Sequence, residues 1–203
     1  MELTFDHNCL IDLELQEHNF TSLQQLISWH DSGDITIRVS AIQASERKSD
    51  KTFVATFSEF QKRIERLSRR PFKVLLPPAY LGIAYLGHCI LGSDGLERQI
   101  HEILFPNIPF EWKLLAQKYN LDPSKVSKGK NKNWIKWRNK KCDVLALWCH
   151  IRNHGDIFVT RDGKFHQKTK RSSLEKLGAN HILHAPAAVQ EIAKVIQFQG
   201  HDT

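Results

Sequence analysis

The sequence has little of what would place it outside the ordinary globular class. Its four cysteines, Cys9, Cys89, Cys142 and Cys149, show no C-x-x-C spacing. A small disulfide-stapled scaffold is therefore excluded, and reduced, buried thiols in a cytoplasmic protein are the simplest expectation. Cys142, Cys149 and His154 also fail as a zinc set: they span about three turns of a helix and do not share one face. No long hydrophobic run is present. Ala79 to Leu91 is the longest, about 13 residues interrupted by Gly82, Gly87 and His88, against the ~20 that a membrane helix needs. It reads as a buried core helix. The start, Met1-Glu2-Leu3-Thr4-Phe5-Asp6, is acidic and has no apolar run behind a basic stretch, so no targeting segment is expected. There is no internal repeat and no low-complexity tail.

The composition that remains is that of a globular chain, 203 residues with 41% hydrophobic and 25% charged, enough for one domain carrying a sizeable insertion. Its net charge of +7 is uneven. Residues 1–100 hold 11 Lys/Arg against 13 Asp/Glu, whereas residues 101–203 hold 18 against 9. The basic half favours a polyanionic partner, nucleic acid before an anionic membrane surface. Its densest part is Lys125 to Lys141, with 8 Lys/Arg in 17 residues, no acid, and Trp134 and Trp137 interleaved. Ammonium groups that neutralise phosphates and indoles that stack bases suit single-stranded RNA. Lys128, Lys130, Lys132, Lys136, Arg138 and Lys140 are the candidate RNA-binding residues. The plainer alternative is that Trp134 and Trp137, three apart, anchor a helix to the core.

Strand signals occur at 2–6, at the β-branched, alternating stretch 34–40, at 157–160 and at 181–184. Helical spacing is expected around 9–13, 21–30, through Phe53, Phe57, Phe60, Ile64 and Leu67, over 79–91, 96–105 and 111–119, then from Asp143 to a stop at Gly155, from Ser172 or Ser173 to Gly178, and after Pro186. Strands alternating with helices across short loops argue for an α/β fold with an open, mostly parallel sheet. In such sheets functional groups collect outside the carboxyl ends of the strands. Asp6 ends the first strand, and Glu46 lies within the first turns of the helix expected after the second. Asp143, read as opening a helix, and Asp162, just past the next strand and nineteen positions on, fall on the same edge. Asp156 starts its strand and sits roughly 15 Å or more from that edge at ~3.3 Å per residue, so it is left out. Asp12 is placed on the periphery, and His181 and His184 on the surface. Four carboxylates that meet repel one another unless a cation intervenes, and all-oxygen ligation selects Mg²⁺ or Mn²⁺.

These residues resemble the PIN-domain family of metal-dependent nucleases, which act mainly on RNA. Phe5-Asp6-His7-Asn8-Cys9-Leu10-Ile11 is similar to the family's D-x-N followed by an apolar pair. Glu46 resembles its second acid. Asp143-Val144-Leu145-Ala146-Leu147, running to Phe158-Val159-Thr160-Arg161-Asp162-Gly163-Lys164-Phe165, resembles D…(L/F)-V-T-x-D-x-x-F. The likeness covers residues 1–50 and 141–198. It implies a three-layer α/β/α sandwich around a mostly parallel sheet, a single domain over 1–203 with 71–141 as a mainly helical, basic insertion. It further implies that Asp6, Glu46, Asp143 and Asp162 are catalytic metal ligands, and that Asn8 and Thr160 support them. Glu46 and Asp143 are 97 positions apart, a wider separation than in compact toxin members. The activity expected is Mg²⁺- or Mn²⁺-dependent endoribonuclease, with a toxin or defence effector as one role. An antitoxin protein and a second copy of the chain are partners by analogy, and no membrane is involved. A catalytically silent RNA-binding scaffold and a DNase using the same site are the alternatives.

Overall fold

The computed structural model describes residues 1–48, 50, 52–92, 94–123 and 131–199. Five short strands carry the fold: β1 (Glu2–Phe5), β2 (Thr36–Ser40), β3 (Lys73–Leu75), β4 (Ile157–Val159) and β5 (His181–Leu183). They form one sheet in the order β3-β2-β1-β4-β5, and every pair is parallel. Between them run α1 (His7–Leu15), α2 (Phe20–Ser32), α3 (Phe57–Glu65), α4 (Leu96–Leu104), α5 (Trp112–Lys118), α6 (Lys132–Arg152), α7 (Gly163–His166), α8 (Lys168–Leu174) and α9 (Ala185–Gln199). Among the described residues no helix is long and apolar enough to cross a membrane.

Successive strand side chains point to opposite faces, and the two faces fill two cores. Leu3, Phe5, Ile37, Val39, Ile157 and Val159 pack with apolar residues of α1, α2, α3 and α9. Leu75, Phe158 and Ile182 pack with those of α4, α5, α6 and α8. The sheet is thus covered by helices on both sides, as an all-parallel sheet requires.

Several expectations change. Residues 79–91 form no helix: Gly82 and Gly87 take left-handed φ of 77° and 83°, and Leu81, Leu86 and Leu91 are exposed. The segment is a loop closed at its base by a parallel bridge between Pro78 and Ile90. The insertion begins with a strand, β3, which completes one edge of the sheet. Phe53 lies outside α3, bridged to Arg47; Thr56 caps that helix by accepting from the Glu59 amide at 3.3 Å. The helix expected from Ser172 begins at Lys168; α8 passes into a π-helical turn over Glu175–Ala179, which Gly178 interrupts with φ of 103°. Cys9, Cys142 and Cys149 are buried free thiols, and Cys89 is half-buried.

The largest change concerns Asp143, which opens no helix. It lies inside the 21-residue α6, whose start is capped by Asn131 accepting from the Asn133 and Trp134 amides. No break falls between Lys132 and Arg152, so one helix joins the insertion to the last motif. Asp143 still reaches the carboxyl edge. At ~1.5 Å per residue it stands about 14 Å before the end of α6, and that end feeds β4 from the amino edge. The part of α6 preceding Asp143 therefore projects past the sheet.

Candidate metal centre at the carboxyl edge

β1 and β4 are neighbours whose onward connections diverge, the switch point at which open parallel sheets form clefts. Phe5 pairs with Val159, so Asp6 and Thr160 leave the sheet side by side. The Asp6 amide donates to the Val159 carbonyl at 3.0 Å and the Thr160 amide to that of Leu183 at 3.0 Å.

Asp6 caps α1 and is nearly fully buried. Its Oδ1 accepts from the His7 amide at 2.7 Å, and its Oδ2 accepts from Asn8 Nδ2 at 2.5 Å and Thr160 Oγ1 at 2.6 Å. Burial raises its pKa despite the bonds from Thr160 and His7, and the Asp162 charge adds to the rise. Asn8 ties the two ends further, donating to Thr160 Oγ1 at 2.9 Å and accepting from the Arg161 amide at 3.1 Å. Thr160 Oγ1 also accepts from the Asp162 amide at 3.1 Å. Asp162 then caps α7 through Lys164 N at 2.9 Å.

Glu46 arrives by a tighter route than expected. After β2 the chain makes a 3₁₀ turn over Ala41–Ser45, and Glu46 follows it in extended conformation. The turn is buried throughout, and Gln43 Nε2 donates to the Phe5 carbonyl at 2.6 Å, fastening it to β1. Glu46 Oε1 is buried and has no hydrogen-bond partner among the described residues. Burial raises the Glu46 pKa well above the usual range, and Asp143 and Asp6 raise it further. Asp143 is raised to about 7, first by burial; Lys164 opposes the rise, while Asp6 and Asp162 increase it.

The four sequence-predicted acids therefore share one electrostatic neighbourhood. A residue that sequence reading missed as a participant sits among them. Lys164 Nζ lies 2.7 Å from Asp162 Oδ2 and 3.2 Å from Asp143 Oδ2. Its signal was its place in D-G-K-F, two positions after Asp162, where a helix cap turns the chain back toward α6. Among the described residues no three His, Cys, Asp or Glu side chains stand close enough together to hold a metal ion. The donor chemistry nonetheless fits a hard cation: all-oxygen ligands, a buried carboxylate oxygen without a partner, and an ammonium already bridging two of the acids.

Asp156 is outside the group, accepting from the Glu2 amide at 2.7 Å at the opposite edge. Asp12, read as peripheral to the acids, is buried rather than solvated: it is 1% exposed and paired with Arg161 at 3.0 Å. That pairing is invisible in sequence because the two lie far apart along the chain. His181 and His184 are exposed, His184 stacking on His166 with centroids 3.6 Å apart.

The basic segment divides. Lys128 and Lys130 lie outside the described residues. Lys132 and Lys136 are exposed on α6, and Arg138 and Lys140 are half-buried. Trp134 and Trp137 are each 4% exposed and cluster with Trp112. Trp137 Nε1 donates to the Pro109 carbonyl at 3.1 Å. Indoles packed this way anchor the projecting part of α6 and leave no face for base stacking. Lys141 is likewise turned inward, its Nζ over the rings of Phe110 at 3.2 Å and Tyr80 at 4.0 Å.

No family model, no curated protein and no solved structure matches the chain.

Proposed function

We propose that the chain is a PIN-like, Mg²⁺- or Mn²⁺-dependent endoribonuclease acting in the cytoplasm, with Asp6, Glu46, Asp143 and Asp162 as the ligand set. The observation that carries this reading is the charge imbalance at the switch point. Asp6 is buried and Glu46, Asp143 and Asp162 are half-buried beside it, one ammonium pairs with Asp143 and Asp162, and Glu46 Oε1 is left without a partner among the described residues. Burying like charges together costs stability, and such arrangements concentrate where chemistry is done. When bound, a divalent ion supplies Lewis acidity, acidifying water and neutralising charge that develops on phosphate oxygens.

The chain's own groups divide the remaining work. Thr160, Asn8 and the His7 amide hold both oxygens of Asp6 fixed, so its orientation is set before any ligand arrives. Asp143, with its pKa near 7, can hold or release a proton at neutral pH. Lys164 keeps Asp143 and Asp162 from separating. Lys132, Lys136 and Lys140, on the part of α6 leading to Asp143, supply the charge that draws a phosphate backbone toward the acids. An antitoxin-like inhibitor and self-association are partners that this reading admits.

A silent RNA-binding scaffold is the second reading, favoured by the ion pairs of Lys164, which neutralise part of the site from within. Incubation with a panel of RNA and DNA, with and without Mn²⁺, separates the readings. Metal-dependent cuts in RNA, absent in Asp143→Asn, are expected. Cutting of DNA alone would move the substrate class, and binding without any cutting would leave the scaffold.

A further inference from the structure

The acids at the carboxyl edge already hold a cation of the chain's own. Lys164 is the second residue of α7, the short helix that Asp162 caps, and it engages both oxygens of that cap. Its amide donates to Asp162 Oδ1 at 2.9 Å, and its Nζ lies 2.7 Å from Asp162 Oδ2. The same ammonium donates to Asp143 Oδ2 at 3.2 Å. It thus spans two acids that reach the edge from different elements, one from within α6 and one from just past β4. The ring of Phe105, 5% exposed, has its centre 5.3 Å from Nζ. The lysine side chain itself is 38% exposed, so the head group is held by the acids and not sealed in. Lys164 pairs with neither Asp6 nor Glu46.

We propose, resting on the metal-binding part of the nuclease reading, that Lys164 occupies the place of a second metal ion, so that the four acids take one divalent cation and not a pair. Where two ions serve one site they stand about 3.5–4 Å apart and share the charge of the carboxylates between them. An Mg²⁺ ion bound to Asp162 Oδ2 at ~2.1 Å would lie no more than about 4.8 Å from Nζ, the sum of that bond and the 2.7 Å ion pair. Like charges that close, in a site partly shielded from water, repel strongly. The ammonium therefore closes the space between Asp143 and Asp162 to a divalent ion and meets their charge itself. The single ion belongs on the other side of Asp143, toward Asp6 and Glu46. The charge count agrees. The four carboxylates are matched by Lys164, the Arg138 guanidinium beside Glu46 and one divalent ion; a second ion would leave an excess of positive charge.

The test counts ions, so cleavage does not enter. Mn²⁺ is titrated into the protein and the free ion is followed by its electron paramagnetic resonance signal. Free signal should appear after one equivalent for the protein and for Lys164→Arg, which keeps the charge. It should appear only after two for Lys164→Met, which keeps the length and loses the charge. The ions bound to Lys164→Met should also show the spin coupling of neighbouring Mn²⁺, absent from the parent. A lysine that merely braces the fold would change the melting temperature and leave the count alone. Two equivalents bound by the parent, or one by a folded Lys164→Met, would overturn the assignment. Lys164→Gln serves if Lys164→Met does not fold. If neither folds, a coupled pair in the parent rejects the assignment and a single uncoupled ion supports it. No Mn²⁺ bound by any of these proteins removes the metal reading and this role together. A change from one ion to two in a protein that cuts no RNA keeps the role of Lys164 and removes the nuclease reading; metal-dependent cutting by a parent that binds two ions does the reverse.

Discussion

The two ends of this sheet bury polar groups in opposite ways. At the amino edge each buried charge has an opposite charge beside it, although Arg38 Nε and Nη2 have no hydrogen-bond partner among the described residues. Arg38, 1% exposed, pairs with Glu2 at 2.9 Å and donates to the Asn153 carbonyl at 2.8 Å. Asp156 accepts from the Glu2 amide. His150, fully buried, is bonded through Nδ1 to Thr4 Oγ1 at 2.9 Å and through Nε2 to the Ala179 carbonyl at 3.0 Å. At the carboxyl edge Asp6, Glu46, Asp143 and Asp162 outnumber Lys164 and Arg138, the nearby Arg63 being paired with Glu14, and Glu46 Oε1 has no partner among the described residues. Matched burial is what a fold needs to hold itself together; mismatched burial lowers stability and persists where something outside the chain completes it. That difference in charge balance marks the carboxyl edge as the candidate site.

The sharpest way to break that contrast is to neutralise one acid. Asp143→Asn or Asp162→Asn should lower Mn²⁺-dependent cleavage by at least about a hundredfold, the upper end of what losing even an outer-shell partner costs a metal site. Asp143→Asn should not lower the melting temperature, because it removes a carboxylate that burial and the neighbouring acids disfavour. Cleavage that survives both substitutions and EDTA would end the metal mechanism. The amino edge should answer in the reverse sense. A Cβ added at Gly155 would meet the His150 ring and the Arg38 guanidinium well inside contact distance, so Gly155→Ala should cost about 1–3 kcal/mol as overpacking. Urea denaturation measures the loss, and cleavage per folded molecule should be unchanged.

How much of this could be read from residues alone follows from the range of each interaction. The strands other than β3, and the acids at or near their ends, were legible because period-two alternation and turn residues are local. β3 was missed because three residues, Lys73-Val74-Leu75, carry too short a pattern to separate from the chain around Pro71 and Pro77. Asp143 was placed at the right edge by a wrong route. Polar and basic residues before it looked like the outside of a helix, whereas α6 continues through them, because Trp134 and Trp137 find cover from Trp112 and Pro109, which no local pattern encodes. The pairing of Lys164 with Asp143 spans 21 positions and depends on how α7 turns. Arg138 could be named as basic, but its stacking on Phe53, 4.2 Å from the ring centre, required the bridge between Arg47 and Phe53.

pH offers a finer probe, since the two edges should pull stability in opposite directions. Asp143 has a folded pKa near 7 against an ordinary value of 3.8. As pH falls from about 7 toward 4 the folded chain takes up that proton first, so this group's contribution to stability rises. His150 is lowered to about 4 from 6.5 by burial. As pH falls from about 6.5 toward 4 the unfolded chain takes up the proton first, so its contribution falls. Melting temperatures across this window should show the Asp143 gain as the difference between the protein and Asp143→Asn. Mn²⁺ should stabilise the protein more at pH 8 than at pH 5.5, and that gap should narrow in the variant. A difference profile that is flat, or that rises with pH, would contradict the raised pKa of Asp143.

The smallest effect belongs to the projecting part of α6. Lys132 and Lys136 are exposed there, whereas Lys141 is buried, so the segment offers fewer free charges than its composition suggests. If those two lysines contact phosphates, replacing both with alanine should reduce the slope of log affinity against log salt by about 1.4, at ~0.7 per single-strand contact. Binding at low salt would weaken while the melting temperature stayed the same, since neither side chain is packed against the core. An unchanged salt slope would take the guiding role away from α6 and leave its projecting turns as a strut, held by the tryptophans, that does no more than carry Arg138 and Asp143 into place.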